Sequence, residues 1–392
     1  MTRPLLIIFL TIFVNLVGFG IIIPLLPFYA QTFGASPLII GLLFAVFSLC
    51  QLVAAPALGD LSDRYGRRPI LIFSLAGTVV SFVMLAVAHS VTMLFAARIV
   101  DGLSGGNIST ARAYVADVTA PKDRAKAYGL IGAAFGLGFI FGPALSGMLV
   151  KVSYTAPIWA AAALTLVATA IAWLWLPETV HRAQAGTGNP FRFLPELLRR
   201  PIVRRLLAID FIYWSAFAVF QTTFALFVWK RFGFDASTTG YFLAAFGVLG
   251  AVVQGGLIRP IVHRLGDKPT LLLGLSFAIV GLVCAALAHS VVMFTVALLP
   301  LALGMGFGHP TMSSLVSLVA HGDEQGRVQG AASAVESLGR TVGPVWGNVS
   351  LDQFGDGIPY ISAAALLLLT LLLSVGLRVG DGSTPAPEAA AP

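Results

Sequence analysis

The sequence predicts an all-α polytopic membrane protein, and three observations carry that prediction. Of 392 residues, 57% are hydrophobic and only 10% are charged, with a mean hydropathy of +0.90. The apolar residues gather into long runs, each near the roughly 20 residues a helix needs to cross a bilayer. The charges fall in short segments between those runs. The 41 Gly and 22 Pro would break soluble helices, but spanning helices tolerate both.

Taken in order, the runs place twelve spans at about 5–30, 38–58, 70–88, 91–116, 126–150, 156–176, 203–229, 238–260, 269–288, 291–319, 327–351 and 358–378. The first follows Met1-Thr2-Arg3-Pro4 with no small-residue cleavage site, so it reads as a retained span rather than a leader. Connections are very short except one. From Pro177 to Arg205 the chain turns polar and basic, with His181, Arg182, Arg192, Arg199, Arg200, Arg204 and Arg205. This divides the chain into an N-terminal six-helix half (1–180), a cytoplasmic linker (181–202), a C-terminal six-helix half (203–379) and a disordered Pro/Ala-rich tail (380–392). Within the linker, Phe191–Leu198 reads as a short helix on the membrane surface.

The net charge of +7 invites a nucleic-acid reading, which the distribution excludes. With the termini on one side, that side holds 18 of the 24 Lys and Arg, and the other holds Lys151, Lys230 and Arg231. This is the loop bias that orients membrane proteins, so both termini and the linker are expected in the cytoplasm, with the chain in the cytoplasmic (inner) membrane. Cys50 and Cys284 both fall inside apolar runs and read as core residues. No metal, cofactor or nucleotide motif is present.

The two halves are repeats. Ala88-His89-Ser90-Val91-Thr92-Met93 returns as Ala288-His289-Ser290-Val291-Val292-Met293, and Gly66-Arg67-Arg68-Pro69 as Gly266-Asp267-Lys268-Pro269. Gly142-Pro143 returns as Gly343-Pro344. Six spans bring the chain back to its starting side, so the repeats are parallel, related by an axis along the membrane normal. Transporters built this way hold substrate near the midplane, between the halves.

The most polar short connection is Gly59-Asp60-Leu61-Ser62-Asp63-Arg64-Tyr65-Gly66-Arg67-Arg68-Pro69, with five charges in eleven residues. It resembles the signature loop between spans two and three of the major facilitator superfamily. Arg98-Ile99-Val100-Asp101-Gly102 with Gly105 resembles that family's span-four pattern. Gly132, Gly136-Leu137-Gly138, Gly142-Pro143 and Gly147 resemble the span-five motif of its antiporters. Gly18-Phe19-Gly20-Ile21 with Pro24-Leu25-Leu26-Pro27 resembles the first span of its twelve-span drug/proton antiporters, tetracycline exporters included. The resemblance covers nearly the whole chain. It implies the major-facilitator fold and a monomeric transporter that exports small amphipathic, drug-like compounds in exchange for protons. It also implies a gating role for the loop. Asp63 would accept from the N-terminal end of span eleven, where the helix dipole favours an anion, and Arg67 would reach Asp117. Gly59 would let helices approach, and Gly66 would allow the turn, with Arg64 and Arg68 adding basic charge. The repeat copy has Val262 in place of Asp63, so the latch is expected on one side only. One departure stands out: Asn15 occupies the first-span position where relatives often carry an acid, so any proton site lies elsewhere.

Ionisable residues inside spans are costly and are candidate functional groups. Arg98, Asp101, Gly105 and Arg112 fall within about 60° of one another on a continuous helix and would form one polar stripe. Glu336 and Arg340 stand four apart, which suits an ion pair. Asp210 lies near the depth of Asn15, and Asp210, Trp214, Phe217, Gln221 and Phe224 share a helix face, an acid followed by aromatics that suits an amphipathic cation. Asp210, Glu336, Asp101, Arg98 and Arg340 are thus the proton-coupling candidates. Asn15, Arg112, Trp214, Phe217, Gln221, Phe224 and His309 are the pocket candidates. Static pairs and plain helix packing are the structural alternatives for each. Gly138, Gly142 and Gly147 permit close helix contact, as do Gly132 and Gly136, and Pro143 permits a bend.

A sugar or metabolite carrier of the same fold is an alternative, although mid-depth hydrogen-bonding side chains are few (Asn15, Gln51, Gln221, Gln254). A lipid or glycolipid flippase is another. A membrane enzyme would need clustered His, Asp or Glu at one membrane face, and none stands out.

Overall fold

The computed structural model describes residues 3–120, 123–179, 190–319 and 325–377. Every regular element among them is a helix. In the first part of the chain these are α1 (Arg3–Gln31), α2 (Pro37–Tyr65), α3 (Arg67–Ala86), α4 (Val91–Leu103), α5 (Asn107–Val118), α6 (Arg124–Leu149) and α7 (Ala156–Trp175). There follow α8 (Pro190–Arg199), α9 (Pro201–Phe232) and α10 (Ala236–Val252), which runs through a π-helical turn (Val253–Leu257) into α11 (Ile258–Leu265). The last are α12 (Asp267–Ala286), α13 (Val291–Val319), α14 (Gln325–Gln353) and α15 (Ile358–Val375). The Pro/Ala-rich tail lies outside the described residues.

Among the described residues ten stretches are long and apolar enough to cross a membrane. The two expected spans outside that set are the fourth and the eleventh. Span four is broken at Ser104-Gly105-Gly106, so α4 and α5 are separate helices. Gly there lowers helix propensity, and its lack of a side chain lets α2 come close. A Cβ on Gly102 would lie 2.6 Å from the Cys50 side chain, and one on Gly106 2.5 Å from that of Leu58. The Gly105 carbonyl is satisfied by Gln51 of α2 at 3.1 Å. Span eleven is continuous as α14 but carries Glu336 and Arg340. The spans with the weakest apolar signal therefore carry much of the intramembrane charge.

The segment expected as a loop after span two is mostly helix. α2 continues to Tyr65, and the turn is Gly66 alone, at φ 109°. Beyond the hydrocarbon a charged helix still satisfies its own backbone, so the chain leaves the helix only where glycine opens the positive-φ region. Gly266 repeats the device at φ 86° between α11 and α12. Ser90 and Ser290 also match, each accepting from a Met backbone N–H (Met93 and Met293) at the head of α4 and α13.

Glycine stripes set the packing. α1 meets α6 where a Cβ on Gly20 would lie 3.1 Å from Gly142 Cα. α6 then meets α10, where one on Gly147 would lie 2.7 Å from the Ser237 carbonyl. The second set mirrors this: Gly343 of α14 abuts Ser215 of α9, and Gly41 of α2 lies against Pro344 of α14. With little hydrophobic drive between helices in lipid, such close van der Waals contact does the holding. One apolar core joins the two sets and includes Leu25 and Phe44 as well as Phe294 and Tyr360. At the end bearing Gly66 and Gly266 the cores separate, into Ile8, Leu71, Tyr114 and Ile131 on one side and Leu207, Val316 and Val328 on the other. Leu197 of α8 packs into the latter, so the helix expected in the linker is present and docked.

Candidate functional site

Four helices bring charged side chains together midway along the bundle. Asp210 of α9 is buried within electrostatic reach of Glu336 and Arg340 of α14. Its Oδ2 has no hydrogen-bond partner. The Arg340 guanidinium lies over the Trp214 ring, 5.2 Å from its centre, and its Nε is also unpartnered. The expected direct Glu336–Arg340 ion pair is absent among the described residues, because Arg340 turns to the aromatic face. His309 of α13 packs edge-on to Trp214 at 5.3 Å, and Phe217 does the same at 5.4 Å. Arg112 of α5 reaches the cluster from the first set of helices, within electrostatic range of His309 and Glu336.

Other candidates are placed differently. The helix break removes Arg112 from the stripe expected with Arg98 and Asp101. Arg98 is fully buried under Phe47 (4.2 Å to the ring centre) and bonds Asp101 at 2.9 Å. That pair sits among α2, α3 and α4, away from the cluster. Phe224 is enclosed by Phe220 and Phe294 and is core, not pocket wall. Gln221 and Asn15 are half-buried. Gly138, Gly142 and Gly147 make the close contacts expected of them, whereas Gly132, Gly136 and Gly59 have no atom within 4 Å of a would-be Cβ.

In the gating segment Arg67 Nε donates to Asp117 Oδ2 at 3.2 Å, as expected. Asp63 is buried and pairs with Arg67. Among the described residues it is not paired with its expected partner, the head of span eleven, and the buried cores of the two sets of helices are separate at this end. Arg64 is exposed, and the Arg68 side chain donates to the Trp173 carbonyl.

Two residues escaped the sequence reading. Glu178 accepts from the backbone N–H groups of Arg67 (2.9 Å) and Arg68 (3.1 Å), a carboxylate on the free donors of the α3 N-terminus. An acid just after span six, at the same end of the bundle as the start of span three, was the available signal. Tyr213 lies within electrostatic reach of Asp210 and Glu336, and its i+3 spacing from Asp210 was the cue. Among the described residues no group of three or more His, Cys, Asp or Glu could hold a metal ion.

The chain is 37% identical to the class G tetracycline resistance protein of Vibrio anguillarum, over 84% of this chain and 85% of that one. It is 32% identical to the class C tetracycline resistance protein of Escherichia coli, over 94% and 96%. It is 29% identical to multidrug resistance protein 1 of Bacillus subtilis, over 94% of each. The crystal structure of the human organic anion transporter MFSD10 superposes with a TM-score of 0.75 at 24% identity, over 95% of this chain and 99% of that one. Residues 8–344 match the Major Facilitator Superfamily as a family. With its helical bundle and central charged cluster, the chain belongs to the Major Facilitator Superfamily and is a transporter, not an enzyme.

Proposed function

We propose that this protein exports small amphipathic, drug-like compounds across the cytoplasmic membrane in exchange for protons. It does so as a monomer with cytoplasmic termini, by alternating access of two six-helix halves, 1–180 and 203–379, joined by the linker 181–202. The observation that carries this reading is the cluster of Asp210, Glu336, Arg340 and His309, met by Arg112 from the other half. An acid that shares a site with competing cations and an aromatic wall can hold either a proton or a ligand. Asn15 cannot cycle a proton, so the role falls to Asp210 and Glu336. The tetracycline and multidrug resistance relatives support the substrate class. The gating segment fits as a latch: Asp63 would leave Arg67 for the head of α14 when the two sets of helices close at the Gly66 end.

The test is flux in proteoliposomes under an imposed pH gradient. Wild type is expected to move tetracycline against its own gradient. Asp210→Asn and Glu336→Gln are expected to reduce proton-driven flux at least ~100-fold, the size of a lost proton-transfer group. Unchanged flux in both variants sinks the site assignment, and no flux in wild type sinks the antiport.

A further inference from the structure

The two sets of helices present opposite charge to the cluster. From α1–α7 the Arg98–Asp101 pair is neutral as a unit and sealed by Phe47. That leaves Arg112, which is exposed at mid-bundle and makes no hydrogen bond or ion pair among the described residues. From α9–α15, Asp210 and Glu336 lie within electrostatic reach of Arg340, so carboxylates outnumber guanidinium groups. Asp210 is 2% exposed, and its Oδ2 is left without a partner. Beside Arg340 the rings of Trp214, Phe217 and His309 pack edge-on to one another.

We propose that the site takes a zwitterionic aromatic ligand, with its anionic group against Arg112 and its cationic group against Asp210 and Glu336. The proposal rests on the transport reading above and adds the ligand's charge and its orientation. Charge at a low-dielectric site must be matched or it is expelled. A simple cation would meet Arg112 without compensation. A simple anion would meet two carboxylates. A neutral ligand would strip water from Arg112 and return nothing. A zwitterion satisfies both sides, and its ring would pack on these aromatics, where offset and edge-on contacts favour a flat group.

The test uses binding of two matched pairs to the full-length protein in nanodiscs. Tetracycline is compared with its 4-dedimethylamino derivative, which lacks the ammonium group. Norfloxacin is compared with its ethyl ester, which lacks the carboxylate. In wild type each zwitterion is expected to bind about ten-fold or more tightly than its partner, the size of one lost ionic contact. Arg112→Gln should erase the norfloxacin preference and spare the tetracycline one, and Arg112→Lys should restore it. Glu336→Gln should do the converse. Arg112 makes no hydrogen bond or ion pair among the described residues, so this variant stays interpretable. Equal binding within both wild-type pairs overturns the proposal, as does binding of neither zwitterion. Flux of the bound probes under a pH gradient is read separately. Flux without charge preference overturns the zwitterion site and leaves transport standing. Charge preference without flux does the reverse.

Discussion

At the residue scale the structure separates a buried ion pair within one set of helices from the charges gathered in the central cluster. Arg98 and Asp101 bond only within the first set of helices, at 2.9 Å under Phe47. Deleting one partner strands the other charge, at about 3–5 kcal/mol, while replacing both by apolar groups is often neutral. Arg98→Ala is therefore expected to assemble poorly, and Arg98→Met combined with Asp101→Leu to fold and transport. A double variant that folds but does not transport would return the pair to the coupling machinery. A second pair joins the C-terminal end of α9 to the turn between α14 and α15. Arg231 bonds both oxygens of Asp356, at 2.7 and 2.8 Å, and the Ala288 carbonyl at 3.1 Å. The hydrogen bond from Arg231 holds the Asp356 carboxyl below its ordinary value. A depressed carboxylate contributes stability above its unfolded pKa, and that stability is lost as pH falls through the folded one. Asp356→Asn should thus lower thermal stability at pH 7 by about 1 kcal/mol, and the gap should close below about pH 4. A gap that persists at low pH would mean the loss is one of packing.

At the element scale glycine position, not glycine count, decides which helices touch. On α6, a Cβ on Gly142 would lie 2.7 Å from α1 backbone, whereas one on Gly132, ten residues earlier, would meet nothing within 4 Å. Overpacking costs about 1–3 kcal/mol, so Gly142→Leu should lower the unfolding temperature of the detergent-solubilised protein. Gly132→Leu should leave it within about 0.5 kcal/mol of wild type. Equal losses would mean that helix propensity rather than contact is being measured. The existence of these helices was legible in apolar runs, and so were the turns at Gly66 and Gly266. The break in span four was not. Ser104-Gly105-Gly106 reads as three tolerated small residues until Gln51 is seen taking the freed Gly105 carbonyl. The same blindness placed Arg112 on a stripe with Arg98, since a 3.6-residue period assumes an unbroken helix. Phe224 failed for another reason. Helix periodicity gives a face, but only the neighbours Phe220 and Phe294 decide whether that face meets a cavity or a core.

At the scale of the whole molecule the repeat was readable from Gly66-Arg67-Arg68-Pro69 and its copy, because an internal duplication leaves matching turns. Which end of the bundle is closed was not readable. Both closures use the same sequence, and their difference lies in contacts between distant spans. The structure has α2 against α14 and α6 against α10, with Gly41, Gly147 and Gly240 at the contacts. Asp63 stays paired to Arg67 within the first set of helices. If transport requires these contacts to part, fixing one should stop it. A Cβ on Gly41 would lie 3.1 Å from the Asn348 Cβ, near the roughly 3.5–4.5 Å of a disulfide. In a background with Cys50 and Cys284 replaced by Ala, Gly41→Cys with Asn348→Cys is expected to cross-link under mild oxidant. The oxidised protein should lose flux and keep ligand binding, reductant should restore flux, and neither single variant should respond to oxidant. A cross-link that forms fully and leaves flux unchanged would show that these two helices do not separate during the cycle, and rocking of the halves would have to be abandoned.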